Sequence, residues 1–260
     1  MITKAHLIYF SPTRTTQTIV ARIAAGLAVR ETEDYDLTRL PQGCDRHLKD
    51  GVAIVGIPVY AGRVPEVCLE RLQSLSAAQV PAVLVALYGN REYEDALLEL
   101  CDLALAKGFS VIAAGAFIGE HSYSTAEQPI AAKRPDAADL QCAYAFGATI
   151  TEKLRSGETG LGSPLPGNRP YKERVPLGGI APETNPERCT LCGICAGVCP
   201  TFVISLAGEV LTAADRCVMC CACVKSCPEQ ARAMSHPLVQ TRRAMLVSNC
   251  NRRKEPTLFL

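Results

Sequence analysis

Tryptophan is absent from this 260-residue chain, and aromatic residues together make up only 5% of it. Any stacking against a flat group therefore falls to tyrosine. Net charge is nearly absent too: 27 basic side chains face 26 acidic ones. That balance gives no electrostatic case for nucleic acid or for a strongly anionic partner. No stretch approaches the ~20 consecutive apolar residues of a membrane span. The opening MITKAHLIYFSP has too short an apolar run for a signal peptide. Neither G-x-G-x-x-G at a helix start nor G-x-x-x-x-G-K-[ST] occurs, so nicotinamide and nucleotide binding find no support. What the chain has is apolar bulk for a core, at 48% hydrophobic, and 14 cysteines.

Eight of those cysteines form two ladders. CTLCGICAGVCP carries Cys189, Cys192, Cys195 and Cys199, and CVMCCACVKSC carries Cys217, Cys220, Cys223 and Cys227. Two copies of C-x2-C-x2-C-x3-C-P are the pattern of bacterial-type ferredoxins with two [4Fe–4S] clusters. Three thiolates on one short turn reach three irons of one cubane, and the fourth, leaving with the outgoing chain, serves the other cluster. The expected metal sets are Cys189, Cys192, Cys195 and Cys227, and Cys217, Cys220, Cys223 and Cys199. Zinc sites use two C-x2-C pairs with a longer spacer, and a disulfide framework implies secretion, for which nothing speaks. Cys221 fits no step of either ladder: it is a bystander thiol, or a spare ligand after damage. The remaining cysteines are Cys44, Cys68, Cys101, Cys142 and Cys250. Unpaired thiols and solvent-sensitive clusters point to a reducing cytoplasm.

Residues 1–155 alternate continuous apolar runs (6–10, 51–59, 81–88 and 110–117) with amphipathic stretches, as buried parallel strands and covering helices do. A weaker strand is expected over 34–40. Five strands and four helices in this sequence suit a doubly wound α/β sheet in the order 2-1-3-4-5. Residues 156–186 hold six glycines and six prolines, so 156–180 reads as a linker without regular structure. A small α+β two-cluster domain is expected over 181–236. The final segment 237–260 is apolar enough to pack back on a domain as a short helix, with its Arg-Arg-Lys cluster solvated.

A doubly wound sheet binds its ligand at the carboxyl edge where strand order reverses. There FSPTRTTQT runs into a helix, and Ser11, Thr13, Arg14, Thr15 and Thr16 sit where a helix N-terminus favours phosphate, although Ser and Thr also serve as plain caps. After the next strands come PVYAGRVPE and YGNREYEDA. They bring Pro58, Val59, Tyr60, Ala61 and Gly62, then Tyr88, Gly89, Asn90 and Tyr93, to the same edge. His121 follows the fifth strand there, as a contact to a ligand or as a structural hydrogen-bonding group. His6 and His236 are isolated.

Ser11-x-Thr13-x-x-Thr16 resembles the flavodoxin phosphate loop, and the Tyr60 and Tyr88 loops resemble the two that sandwich its isoalloxazine. With the ladders behind it, and with EHSYSTAEQPIAAKRPD and NRRKEP, nearly the whole chain resembles the fusion family of an N-terminal flavodoxin-like domain and a C-terminal two-cluster ferredoxin. That resemblance implies FMN, with Gly62 letting a peptide turn toward the flavin. Arg14 departs from it, standing where flavodoxins usually have glycine. Two functions are weighed. The first is an electron relay to partner redox proteins. The second is an FMN-dependent reductase of a quinone or activated double bond, for which the long 119–135 segment would be a lid; that segment would equally serve as the surface on which the ferredoxin docks. The relay is preferred because no acid–base pair stands out. A cavity over the flavin would favour the enzyme, an exposed flavin edge the relay.

Overall fold

The computed structural model describes residues 3–39 and 45–260, so Cys44 and the end of the expected second strand lie outside the described residues. The sheet strands are β1 (Lys4–Tyr9), β2 (Glu31–Asp36), β4 (Val52–Pro58), β6 (Pro81–Tyr88) and β7 (Ser110–Ile118). Between them run α1 (Thr15–Leu27), α2 (Glu66–Leu72) and α3 (Ala96–Ala106), and α4 (Ala137–Ser156) follows. Two short segments, β3 (Arg46–Leu48) and β5 (Leu75–Ala77), pair in parallel beside the main sheet.

These strands are fully parallel and lie in the order β2-β1-β4-β6-β7. Alternating side chains explain the two-sided burial. Ile8, Val55 and Leu84 face α2 and α3 in one core, while their neighbours Leu7, Ile54 and Val83 meet Ile19, Ile23 and Phe146 of α1 and α4 in the other. The second strand lies earlier than expected, at Glu31–Asp36, because it is an exposed edge strand of mostly acidic residues with no apolar run to mark it.

Among the described residues the sheet has six strands rather than five. β12 (Thr257–Phe259) adds itself antiparallel beyond β7, pairing Thr257 with Ala116 and Phe259 with Ala114. The chain therefore leaves the sheet, builds a second unit and returns. Before returning it forms α7 (Pro237–Asn249), the expected C-terminal helix. The Arg-Arg-Lys cluster is solvated, with Arg252 and Arg253 exposed, and its charges are paired at the surface: Arg253 with Asp136 at 2.6 Å and Lys254 with Glu92 at 2.6 Å.

The second unit is small: the antiparallel pair β8 (Glu183–Thr184) and β11 (Arg232–Ala233), and the hairpin β9 (Ile204–Leu206) and β10 (Val210–Thr212). One-turn helices α5 (Ile194–Gly197) and α6 (Ala222–Lys225) each follow a cysteine ladder's opening. The segment before it is extended but tied down. Asp95, with no exposed surface, accepts from the Asn168 N–H at 2.8 Å and the Lys172 N–H at 2.7 Å. Arg174 pairs with Glu99 and donates to the Val64 carbonyl at 2.7 Å. So the Gly/Pro composition marks an absence of helix and strand over most of this stretch, not looseness. Among the described residues, no helix is long and apolar enough to cross a membrane.

Candidate functional site

At the carboxyl edge of the sheet, α1 begins with the backbone of Arg14 at φ 66° and with no side-chain cap. That is left-handed backbone, where a Cβ is disfavoured, which gives a physical reason for glycine at this position. The Gln17 N–H donates to Ser11 Oγ at 3.0 Å. The N–H groups of Thr15 and Thr16, in the first turn, have no intrahelical acceptor. No acidic residue stands in that turn. Thr13 Oγ1 lies 3.3 Å from Thr15 Oγ1. Free N–H groups, hydroxyls and the positive helix end suit a phosphate.

These threonines line a cavity of about 380 Å³. Its sheet-side wall contains Thr13, Thr15 and Thr16, then Pro58, Val59, Tyr60 and Ala61, then Tyr88, Gly89 and His121. Gly89 is required there, since a Cβ on it would stand 2.3 Å from the His121 ring. His121 Nδ1 accepts the Tyr123 N–H at 3.0 Å, which puts the ring proton on Nε2. Burial, reinforced by the nearby Lys225 and Arg91 charges, pushes the imidazole down to about 4, so the ring is neutral at pH 7. Burial likewise pushes Tyr88 up to about 12, leaving an uncharged phenol.

Five expected site residues stand outside this cavity lining. Ser11 is buried and spent on the Gln17 N–H, and Arg14 shapes the turn. Gly62, next to the cavity-lining Ala61, adopts φ +85°, and a Cβ there would clash with Glu94, so the turn needs glycine. Tyr93 packs on Tyr88 with ring centroids 5.4 Å apart. Asn90 is 3% exposed, and its amide donates to the carbonyls of Cys250 at 2.7 Å and Arg252 at 2.8 Å. It anchors the returning tail.

The other wall of the cavity had no signal in the sequence. It comes from Lys172, Val175 and Leu177 of the tied segment, Val218 and Met219 of the second ladder, and Arg242, Met245 and Leu246 of α7. The 119–135 segment is clamped beneath this roof, not free as a lid. Glu120 pairs with Lys225 at 2.7 Å, and the Tyr123 carbonyl accepts from Arg243 Nε at 2.7 Å. The Tyr123 hydroxyl donates to Met219 Sδ at 3.7 Å. A second, larger cleft of about 890 Å³ shares Tyr60, Ala61, Val175, Leu177 and Val218 with the first.

Beyond Met219 the cysteines gather in two groups. Cys189, Cys192, Cys195 and Cys227 line one void, and Cys199, Cys217, Cys220 and Cys223 line another, with Cys221 beside them. Among the described residues no three His, Cys, Asp or Glu side chains converge on a point that suits one metal ion. Four thiols around a space suit a cubane, which takes one thiolate per iron. The first group is the outer one: Cys192 is exposed, Cys189 and Cys227 half-buried. In the inner group Cys199, Cys220 and Cys223 are all buried.

Residues 182–205 match the family model of the 4Fe-4S binding domain. No curated protein matches the chain in sequence. Among solved structures it is similar to a flavodoxin from the domain Archaea at 15% identity, over 58% of this chain and 99% of that one, with a TM-score of 0.39. A flavodoxin from Streptococcus pneumonia TIGR4 is also 15% identical, over 58% and 99%, with a TM-score of 0.42. The rubredoxin oxygen:oxidoreductase from Desulfovibrio gigas is 15% identical over 59% of this chain and 36% of that one, with a TM-score of 0.43. By its own strand order and its cysteine match, the chain joins a flavodoxin-like sheet to a 4Fe-4S binding domain.

Proposed function

We propose that this chain is an iron–sulfur flavoprotein in which two [4Fe–4S] clusters and one FMN form an internal electron relay serving a partner redox enzyme. The observation that carries the reading is the position of Met219. It stands between Cys217 and Cys220 in the chain and, only 4% exposed, lines the same cavity as Thr13, Thr15 and Thr16. The cysteine half is thus built directly against the flavin site. Bound there, the flavin supplies one- or two-electron chemistry and the clusters one-electron chemistry.

The chain's own residues divide the labour. Thr13, Thr15 and Thr16 hold the phosphate with hydroxyl and backbone N–H groups. Tyr60 and Tyr88 offer aromatic faces at the carboxyl edge, and Met219, Met245 and Leu246 keep water from the opposite side. His121 presents a neutral ring with its proton on Nε2. The outer cysteines, nearer solvent, face a donor, and the inner cysteines face the cavity. Free thiols support a reducing compartment, the cytoplasm.

A second reading has its own support: the roofed cavity opens beside the 890 Å³ cleft, which offers room for a small organic molecule such as a quinone. In that case the relay feeds a reductase. The test of the common core is composition. Anaerobically reconstituted protein should hold about eight irons and one FMN per chain. Stoichiometric zinc in place of iron, or tight FMN binding with only four irons, would overturn the two-cluster relay.

A further inference from the structure

Arg232 lies on β11, five residues past Cys227, and is only 4% exposed. Burying a guanidinium is costly unless an opposite charge meets it. The acceptors of Arg232 are Thr184 Oγ1 at 2.6 Å, Thr212 Oγ1 at 2.9 Å and Cys223 Sγ at 3.7 Å, none of them a carboxylate. Its Nε has no acceptor at all. The side chain lines the void of the outer cysteines, yet the sulfur it donates to belongs to the inner ones. One buried cation without a protein carboxylate therefore sits between the two cysteine groups.

We propose that Arg232 is the fixed counter-charge of the cysteine half and raises the reduction potential of the inner site more than that of the outer one. The proposal rests on the reading that both groups of cysteines hold [4Fe–4S] clusters. Adding an electron makes either site more negative, so a nearby cation favours the reduced form of both. A hydrogen bond to a ligand sulfur acts in the same direction. Arg232 gives that bond to Cys223 alone, so the inner site gains more. Arg232 thereby favours transfer of one electron inward: the outer site is oxidised by one electron and the inner site is reduced by one. The inner site is the one against the cavity, so the charge gives the relay a direction.

The test uses the holoprotein and two variants, Arg232→Gln and Thr184→Asp. The first removes the charge. The second leaves Arg232 in place and sets a carboxylate against it, so it reports even if the first variant assembles poorly. Each is followed by iron analysis and by anaerobic potentiometric titration read by electron paramagnetic resonance. In iron-replete variants the inner site should lose at least tenfold in its reduced-to-oxidised ratio at a fixed potential, about 59 mV for a one-electron couple. The outer site should move less. Unchanged potentials in an iron-replete Thr184→Asp or Arg232→Gln protein would overturn the role of Arg232. A wild-type protein with a single cluster signal would instead overturn the two-cluster reading beneath it, and the proposal with it.

Discussion

The sheet half buries Phe10, Ile54 and Leu84 with no exposed surface at all, in cores on both of its faces. A buried cluster of the cysteine half consists of Cys195, Cys199, Val203, Ile204 and Cys223, so three of its five members are cysteines. The first half is held by apolar area and by paired backbone. The second has two-stranded ladders, one-turn helices and thiols where a core should be. A unit of that size rarely stands on hydrophobic burial alone and needs a staple. Here the staple is the metal, so one half should be stable without a cofactor and the other should not.

Removing the metal gives the largest expected effect. Binding energy in small metal-stapled modules is folding energy, on the order of 10 kcal/mol. Anaerobic chelation should expose the amides of residues 181–236 to hydrogen exchange while β4, β6 and β7 stay protected. Equal protection of both halves after iron loss would break the comparison. A single ligand sharpens it. Cys220→Ser should lose iron from the inner group, whereas Cys221→Ser should keep the full complement; iron analysis of the pair checks the register.

On the sheet side, Thr13→Val or Thr16→Val should leave the fold and the iron untouched but weaken FMN. Each removes a hydrogen bond to a charged group, worth about 1.5–3 kcal/mol. Riboflavin, lacking the phosphate, should bind both variants nearly as well as the parent, as flavin fluorescence titration would show. The smallest effect is that of His121. Its folded value of about 4 lies below the free value of 6.5, so the unfolded chain binds more protons between those pH values. Stability is therefore fully present above about pH 6.5 and falls as pH drops toward 4, by no more than about 2 kcal/mol with the ring partly exposed. His121→Asn, which keeps an acceptor for the Tyr123 N–H, should flatten that slope in urea unfolding followed by far-ultraviolet circular dichroism.

Local pattern made the cysteine ladders, the buried strands and the threonine turn legible in the sequence. Each is written in spacing or in an apolar run within ten or so residues. What stayed hidden depends on partners far along the chain. β12 is three residues, too short to show alternation, and becomes a strand only because β7 offers an open edge. Asn90 sits next to Gly89 and reads as a flavin contact, yet its partners lie 160 and 162 residues away. The Gly/Pro stretch gave no hint of Asp95 and Glu99 holding it down. The roof of the cavity combines three segments, 172–177, 218–219 and 242–246, that share no motif.

The central claim is that the two halves form one circuit, and anaerobic stopped flow tests it most directly. The clusters of the FMN-loaded protein would be reduced rapidly by a one-electron donor and the flavin absorbance followed at several protein concentrations. Transfer past Met219 within one molecule predicts flavin reduction at a rate that does not change with concentration. A rate that rises in proportion to protein concentration, or a flavin that stays oxidised beside reduced clusters, would contradict the account.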